Sequence, residues 1–221
     1  MTKEKMPKRP EFAEILDAHF HGLFPERDER VFYQGDQEVL PLEVHILEAR
    51  NPQEFHVLYT VGMSSHKMEL PAELLPTYES LARCELMTLL PYEWKLEVPE
   101  NKELDNKTWW IVRLMEYLSA FPKSENTWLG WGHMIPNSEN FTPYAENTEL
   151  SGVVLGAMQE QVSTVQVKDK LPIHVYTLLP LYRAELEFAQ KEGVPKLMEQ
   201  LATLKGYGMI VFPDRPMVAE A

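Results

Sequence analysis

The chain has 221 residues, enough for one large domain or two small ones, and its 44% hydrophobic and 25% charged residues are the composition of a folded chain with a sizeable core. A formal net charge of −13 repels the nucleic-acid backbone and anionic lipid faces, and draws in basic partners. A single cysteine, Cys84, excludes an internal disulfide and a multi-cysteine metal site, and this points to the cytoplasm.

Residues 1–9 carry Lys3, Lys5, Lys8 and Arg9 and read as a basic flexible tail. Pro7, Pro10, Glu11 and Glu14 break the apolar stretch that a secretory signal needs. The longest uncharged apolar run, Gly152 to Met158, falls far short of the roughly 20 residues of a membrane-spanning helix. Between Pro10 and Leu23, the residues Phe12, Ile15, Leu16, Phe20 and Leu23 make one helical stripe, which Gly22 and Pro25 end. A polar turn follows at Gln34 to Asp36. Leu42 to Ala49 and Glu54 to Val61 then alternate with period two around an Asn51-Pro52 turn, the pattern of an antiparallel hairpin. Cys84 to Leu90, closed by Pro91, has little alternation and reads as a strand buried on both faces.

Asp105 or Asn106 caps a helix whose inward stripe is Trp110, Leu114, Tyr117, Leu118 and Phe121, with Pro122 as its stop. Thr127 to Ile135, Leu150 to Met158 and Ile173 to Leu179 read as three more strands. Leu181, Leu186 and Phe188 belong to one C-terminal helix and Val194, Leu197, Met198 and Leu201 to the next, punctuated by Gly193 and Pro195. Strands and helices mix along the whole length with no linker between two cores. The expectation is one α/β (α+β) domain over residues 10–218, with a mixed, mainly antiparallel sheet flanked by helices.

The chemistry-bearing residues give little support for catalysis. His19 and His21 lie two residues apart on a helix, on nearly opposite faces, and His45, His56 and His174 have no partner ligand at a typical spacing, so no metal is expected. Cys84 shares a strand face with Leu86 and Thr88, away from Arg83 and Glu85, as a small buried hydrophobe does. Ser64 and Ser65 sit in no nucleophile elbow, and Gly130-Trp131-Gly132 lacks the third glycine and helix of a dinucleotide site. No cofactor is expected. What stands out is the cluster Trp128, Trp131 and His133 among glycines. On a strand, Leu129, Trp131 and His133 share one face and Trp128 and Gly130 the other, and at least one tryptophan belongs to the core.

Several segments together resemble the suppressor of fused domain family: Thr60-Val61-Gly62-Met63-Ser64, Glu85 to Pro91 with Trp94 after it, Thr127 to His133, Leu179-Pro180-Leu181-Tyr182, and Pro213-Asp214-Arg215-Pro216. The resemblance spans about residues 30 to 218 and implies an α/β domain that binds protein and has no recognised catalytic centre. In animal members a second domain completes a clamp on a peptide of a zinc-finger transcription factor in Hedgehog signalling. This chain resembles the stand-alone bacterial form, whose relatives are proposed as immunity proteins in polymorphic toxin systems. The expected function is therefore protein binding, with a basic toxin domain as partner and neither nucleic acid nor membrane. The opposing reading is an enzyme with a scattered active site, or a regulatory sequestering domain, and a pocket holding a strongly shifted titratable group would favour the enzyme. The expected contact surface joins Met63, Ser64, Ser65 and His66 to Trp128, Trp131 and His133, an adaptable apolar side chain and an aromatic anchor among polar groups.

Overall fold

The computed structural model describes residues 9–34, 41–99 and 103–219, and its strands form one sheet. Helix α1 (Ala13–Leu23) leads into strands β1 (Glu29–Gln34), β2 (Leu42–Leu47) and β3 (Phe55–Val61). Strand β4 (Cys84–Pro91) and the long helix α2 (Asn106–Ser124) follow. The second half holds β5 (Met134–Pro136), β6 (Leu150–Gly156), the short α3 (Glu160–Ser163) with β7 (Thr164–Val165), β8 (Ile173–Tyr182), and helices α4 (Arg183–Glu192) and α5 (Val194–Leu201). Strand order is β1-β2-β3-β4-β8-β6-β5, with β7 also on β8. Every pairing is antiparallel except β4 with β8. This is an α+β domain with a mixed sheet.

Period-two patterning decides which helix covers which face. Val44, Ile46, Leu58, Leu86 and Leu90 turn to α2, where they meet Trp109, Trp110, Leu114 and Leu118. Leu47, Val57, Tyr59 and Met87 turn the other way, onto Phe12, Leu16 and Phe20 of the α1 segment. Farther along, Val154, Leu179 and Leu181 pack on Leu186 and Ala189 of α4 and Leu197 of α5. Asp105 caps α2 by accepting from the Lys107 N–H at 2.9 Å. Cys84 is buried, its Sγ 4.0 Å from the Met63 Sδ and 3.7 Å from that of Met68.

Five expectations need correction. Leu181 belongs not to the C-terminal helix but to β8, which runs on to Tyr182 before α4 begins. Pro122 does not stop α2, which runs to Ser124, because a proline in the last turn deprives the helix of one late hydrogen bond only. Tyr117 is not on the inward stripe and stands 56% exposed, whereas Trp109, Ile111, Val112 and Met115 are buried. The helix buries a wider face because residues 94–97 lie along it, the Trp94 indole donating to the Thr108 carbonyl and the Trp109 indole to that of Glu97. Strand β1, paired along β2 from Glu29↔Leu47 to Gln34↔Leu42, lies in a stretch where no strand is expected. Gln34 ends it, and the rest of the expected turn falls outside the described residues. Thr127 to His133 is not a strand; the extended part is limited to Met134–Pro136. Of the expected tail, residues 1–8 lie outside the described residues, and Arg9 is tied to Glu43 and Asp17.

Candidate functional site

A groove of about 310 Å³ opens beside the start of β8. Its floor is His174 and Tyr176, alternate residues that β8 turns to the α2 side of the sheet, and Leu81, Trp131, Met158 and Glu160 form its walls. The His174 and Tyr176 rings lie 6.2 Å apart and nearly parallel. Tyr176 is 4% exposed, and neither its hydroxyl nor the His174 Nε2 has a hydrogen-bond partner among the described residues. Burial pushes the His174 imidazole down, holding it neutral, and pushes the Tyr176 phenol up. The groove therefore presents two neutral polar groups beside an indole that is half exposed, at 50%.

Trp131 reaches this position because Thr127 to His133 is a folded turn. The Trp128 ring lies over Gly130, where an added Cβ would stand 2.4 Å from the ring, and Gly132 takes φ +79°. His133 N–H closes on the Gly130 carbonyl at 3.1 Å, while the Gly132 N–H and the His133 carbonyl bond to Leu155 of β6. Trp128 and His133 were expected on opposite faces; they instead meet edge to face at 4.3 Å, since the turn cancels strand alternation. Trp128 is the tryptophan packed on the core. Burial lowers the His133 imidazole, partly offset by its hydrogen bond to the Trp128 backbone.

The Met63–Ser65 turn is a single 3-10 turn after Gly62, whose φ of +131° and approach to the Pro41 carbonyl leave no room for a Cβ. Its purpose is visible in Glu85, wholly buried beneath it. The Glu85 carboxylate accepts from Thr60 Oγ1 at 2.7 Å, Gly62 N at 3.0 Å, Ser64 N at 2.9 Å and Ser64 Oγ at 2.6 Å. Burial pushes this carboxyl up, and the four donors offset that only in part. Ser64 is thus not a surface donor, nor is Met63 a surface contact: they are 1% and 3% exposed because both serve the interior. Ser65 is half buried and accepts the Glu11 N–H at 3.2 Å, and His66 is exposed. Between the two expected segments runs a chain of sulfur contacts, Met63 to Cys84, Cys84 to Met68, and the Met68 Sδ accepting the Leu129 N–H at 3.3 Å.

A second ionisable cluster lies on the opposite face. His45 places Nδ1 2.8 Å from Glu29 Oε1 and Nε2 2.9 Å from Glu43 Oε2; Tyr59 donates to Glu29, and Arg9 pairs with Glu43 and Asp17. A carboxylate at each ring nitrogen requires an N–H at both, so His45 is an imidazolium here. Its signal in the sequence is Glu43-Val44-His45, an i, i+2 pair on one strand face. The groove residues His174 and Tyr176 carry the same i, i+2 signal, invisible without Trp131. Among the described residues no group of three His, Cys, Asp or Glu side chains is placed to share a metal ion. No described helix is long and apolar enough to cross a membrane.

Comparison with known proteins gives this arrangement a context. A putative SUFU (suppressor of fused) homolog from Neisseria gonorrhoeae is similar over 95% of this chain and 98% of its own, with TM-score 0.65 and 13% identity. A Sufu-Fu complex structure is similar over 95% of this chain and 93% of its own, with TM-score 0.62 and 14% identity. Drosophila Suppressor of Fused matches at TM-score 0.62 and 15% identity, over 96% of this chain but 52% of its own, so the present chain spans about half of it. At such identities these likenesses speak for the fold. No curated protein matches the sequence. Since the family model for Suppressor of fused protein (SUFU) matches residues 39–216, most of the sequence, the chain belongs to the suppressor of fused family.

Proposed function

We propose that this chain is a non-catalytic protein-binding domain, that it acts as an immunity protein of a bacterial polymorphic toxin system, and that it neutralises a basic toxin domain by direct contact. The observation that carries the binding reading is Trp131, a half-exposed indole at the rim of a groove floored by two buried, unpartnered polar atoms. Aromatic anchors next to a desolvated pocket are where binding energy concentrates in protein interfaces. Tyr176 Oη and His174 Nε2 supply the hydrogen-bonding groups that a peptide backbone entering the groove would satisfy. Ser65, His66 and the exposed parts of Trp128 and His133 extend the surface.

Family membership supports the same class, since one protein of like fold was solved as a Sufu-Fu complex. The net charge of −13 suits a cationic partner, speeding encounter through long-range attraction. An enzyme reading would rest on His174 and Tyr176, the shifted groups in the groove. Burial is the main cause of both shifts, and among the described residues no carboxylate is bonded to the His174 ring to orient it as a base requires.

The test is binding of the purified chain to the C-terminal domain of a secreted toxin-like protein encoded beside it. Expected are a complex that abolishes the toxicity, an association rate that falls as salt rises, and Trp131→Ala dissociating at least ~100-fold faster. A toxin domain that neither binds nor loses toxicity overturns the immunity role. A folded Trp131→Ala protein with unchanged dissociation overturns the groove as the contact surface.

A further inference from the structure

A separate pocket of about 300 Å³ lies at the N-terminal half of α2, against the segment that precedes β6. Trp110, Arg113 and Tyr117 line it from the helix, and Asn137 and Tyr144 from the facing segment. Trp110 is 2% exposed and stacks on Tyr144 with ring centres 5.0 Å apart and planes within 7°. The Trp110 indole N–H and the Tyr144 hydroxyl are both buried, and neither has a hydrogen-bond partner among the described residues. Every other tryptophan buried in α2 or the strap beside it does have one: Trp94 donates to Thr108, and Trp109 to Glu97. A buried indole N–H left unpaired costs free energy, so one lining a pocket calls for an acceptor from outside.

The other groups around the pocket say what kind of acceptor. The Asn106 and Asn137 amides each donate one N–H, to the Tyr144 and Thr142 carbonyls, and the Asn106 Oδ1 accepts from Arg113. Indole and guanidinium can only donate, and the phenol donates as well. Donors thus dominate, one of them a permanent cation at the mouth, in a chain that is otherwise strongly acidic. Two stacked rings and the exposed Tyr117 ring make the walls flat and apolar. We infer that this pocket binds a carboxylate carried next to an aromatic ring, the carboxylate taking the Trp110, Tyr144 and Arg113 donors and the ring lying along the aromatic walls. Such a group comes either from a free aromatic acid or from the C-terminal residue of a peptide.

The test is calorimetric titration of the full chain with phenylacetate and with the tripeptide Gly-Gly-Phe, each beside its amide, while the Trp110 indole resonance is followed by NMR. Saturation by either acid below about 10 mM, with its amide at least ~10-fold weaker, is the expected result. Phenylacetate alone binding identifies a free acid as the source, and the tripeptide alone a chain end. Tyr144→Phe and Arg113→Gln should each weaken binding at least ~10-fold without lowering the denaturation midpoint, since the first keeps the ring that packs on Trp110 and the second changes an exposed side chain. Acids and amides binding equally, no saturation by either acid, variants that bind as well as the parent, or a crystal soaked in both acids showing only water on the indole would each overturn the inference.

Discussion

Removing the Arg215 guanidinium tests how the C-terminal segment is held. Arg215 is 7% exposed and Glu185, at the start of α4, is fully buried. The pair is bidentate: Nη1 to Oε1 at 2.7 Å and Nη2 to Oε2 at 2.5 Å, with further donations to the Pro216 and Pro180 carbonyls at 3.0 Å each. Truncating one member of a buried ion pair costs about 3–5 kcal/mol, because the other charge is abandoned in a low-dielectric site. Glu185 is not wholly abandoned here, since it also accepts the Tyr182 and Val218 N–H groups at 3.0 Å each. Arg215→Leu should therefore sit at the lower end, about 3 kcal/mol. Urea denaturation followed by tryptophan fluorescence measures it, and the double variant Glu185→Met with Arg215→Leu should recover only part of the loss, since it removes the stranded charge but leaves the Tyr182 and Val218 N–H groups unpaired. A single-variant loss under about 1 kcal/mol, the value of an exposed pair, would show that the charge is not held in the interior as described.

Three further outcomes are expected. Leu114→Ala, a 6% exposed side chain between α2 and the sheet, should cost about 2–5 kcal/mol by denaturant melt, and a loss below about 0.5 kcal/mol would contradict its placement. Burial opposes the charge on His45, but its bonds to Glu43 and Glu29 raise the imidazole above its ordinary value; burial likewise opposes Glu43, which His45 and Arg9 nonetheless hold at about 2. The His45 contribution is thus present below its unfolded value near 6.5 and fades as pH rises through the raised folded one, while that of Glu43 is present above 4.5 and fades as pH falls towards 2. His45→Gln should consequently cost most stability between about pH 4.5 and 6.5 and less at pH 9, and a cost independent of pH would dispose of the imidazolium. Gly62→Ala, with its added Cβ 2.2 Å from the Pro41 carbonyl oxygen and φ of +131°, should lose more than about 2 kcal/mol in a thermal melt, and a neutral effect would mean that the turn over Glu85 is not fixed.

What the sequence discloses follows from how local each signal is. The β2–β3 hairpin, β4 and the capped start of α2 are written in periodicity and turn residues, and they appear where expected. Trp128 to His133 misleads because its residues have strand composition, while the Gly130–Gly132 geometry that reverses the chain depends on docking to β6. Ser64 reads as a surface hydroxyl because its partner Glu85 is 21 residues away, and only β3–β4 pairing brings them together. Likewise the groove needs residues from four separate stretches, between Leu81 and Tyr176, and none is conspicuous alone. Of the expected contact residues, Trp131 is the one that lines it.

The parallel pairing of the two long strands, Cys84–Met87 beside His174–Thr177, also sets the order in which the molecule can be made. The strands β1 to β4 are joined by neighbour pairings and can associate as soon as they are synthesised, but the free edge of β4 must wait some ninety residues for β8. Closing so long a loop is entropically costly and slow relative to hairpin formation. During translation the nascent N-terminal half therefore carries an open, apolar strand edge, the kind that recruits stray strands. Past Met87 the same edge is sealed by the returning chain, where the Val211 N–H donates to the Leu89 carbonyl at 2.8 Å. Emergence of the segment around Ile210 is thus the step that removes the hazard, and ribosome-stalled chains ending before Ile210 should be those that chaperones hold longest.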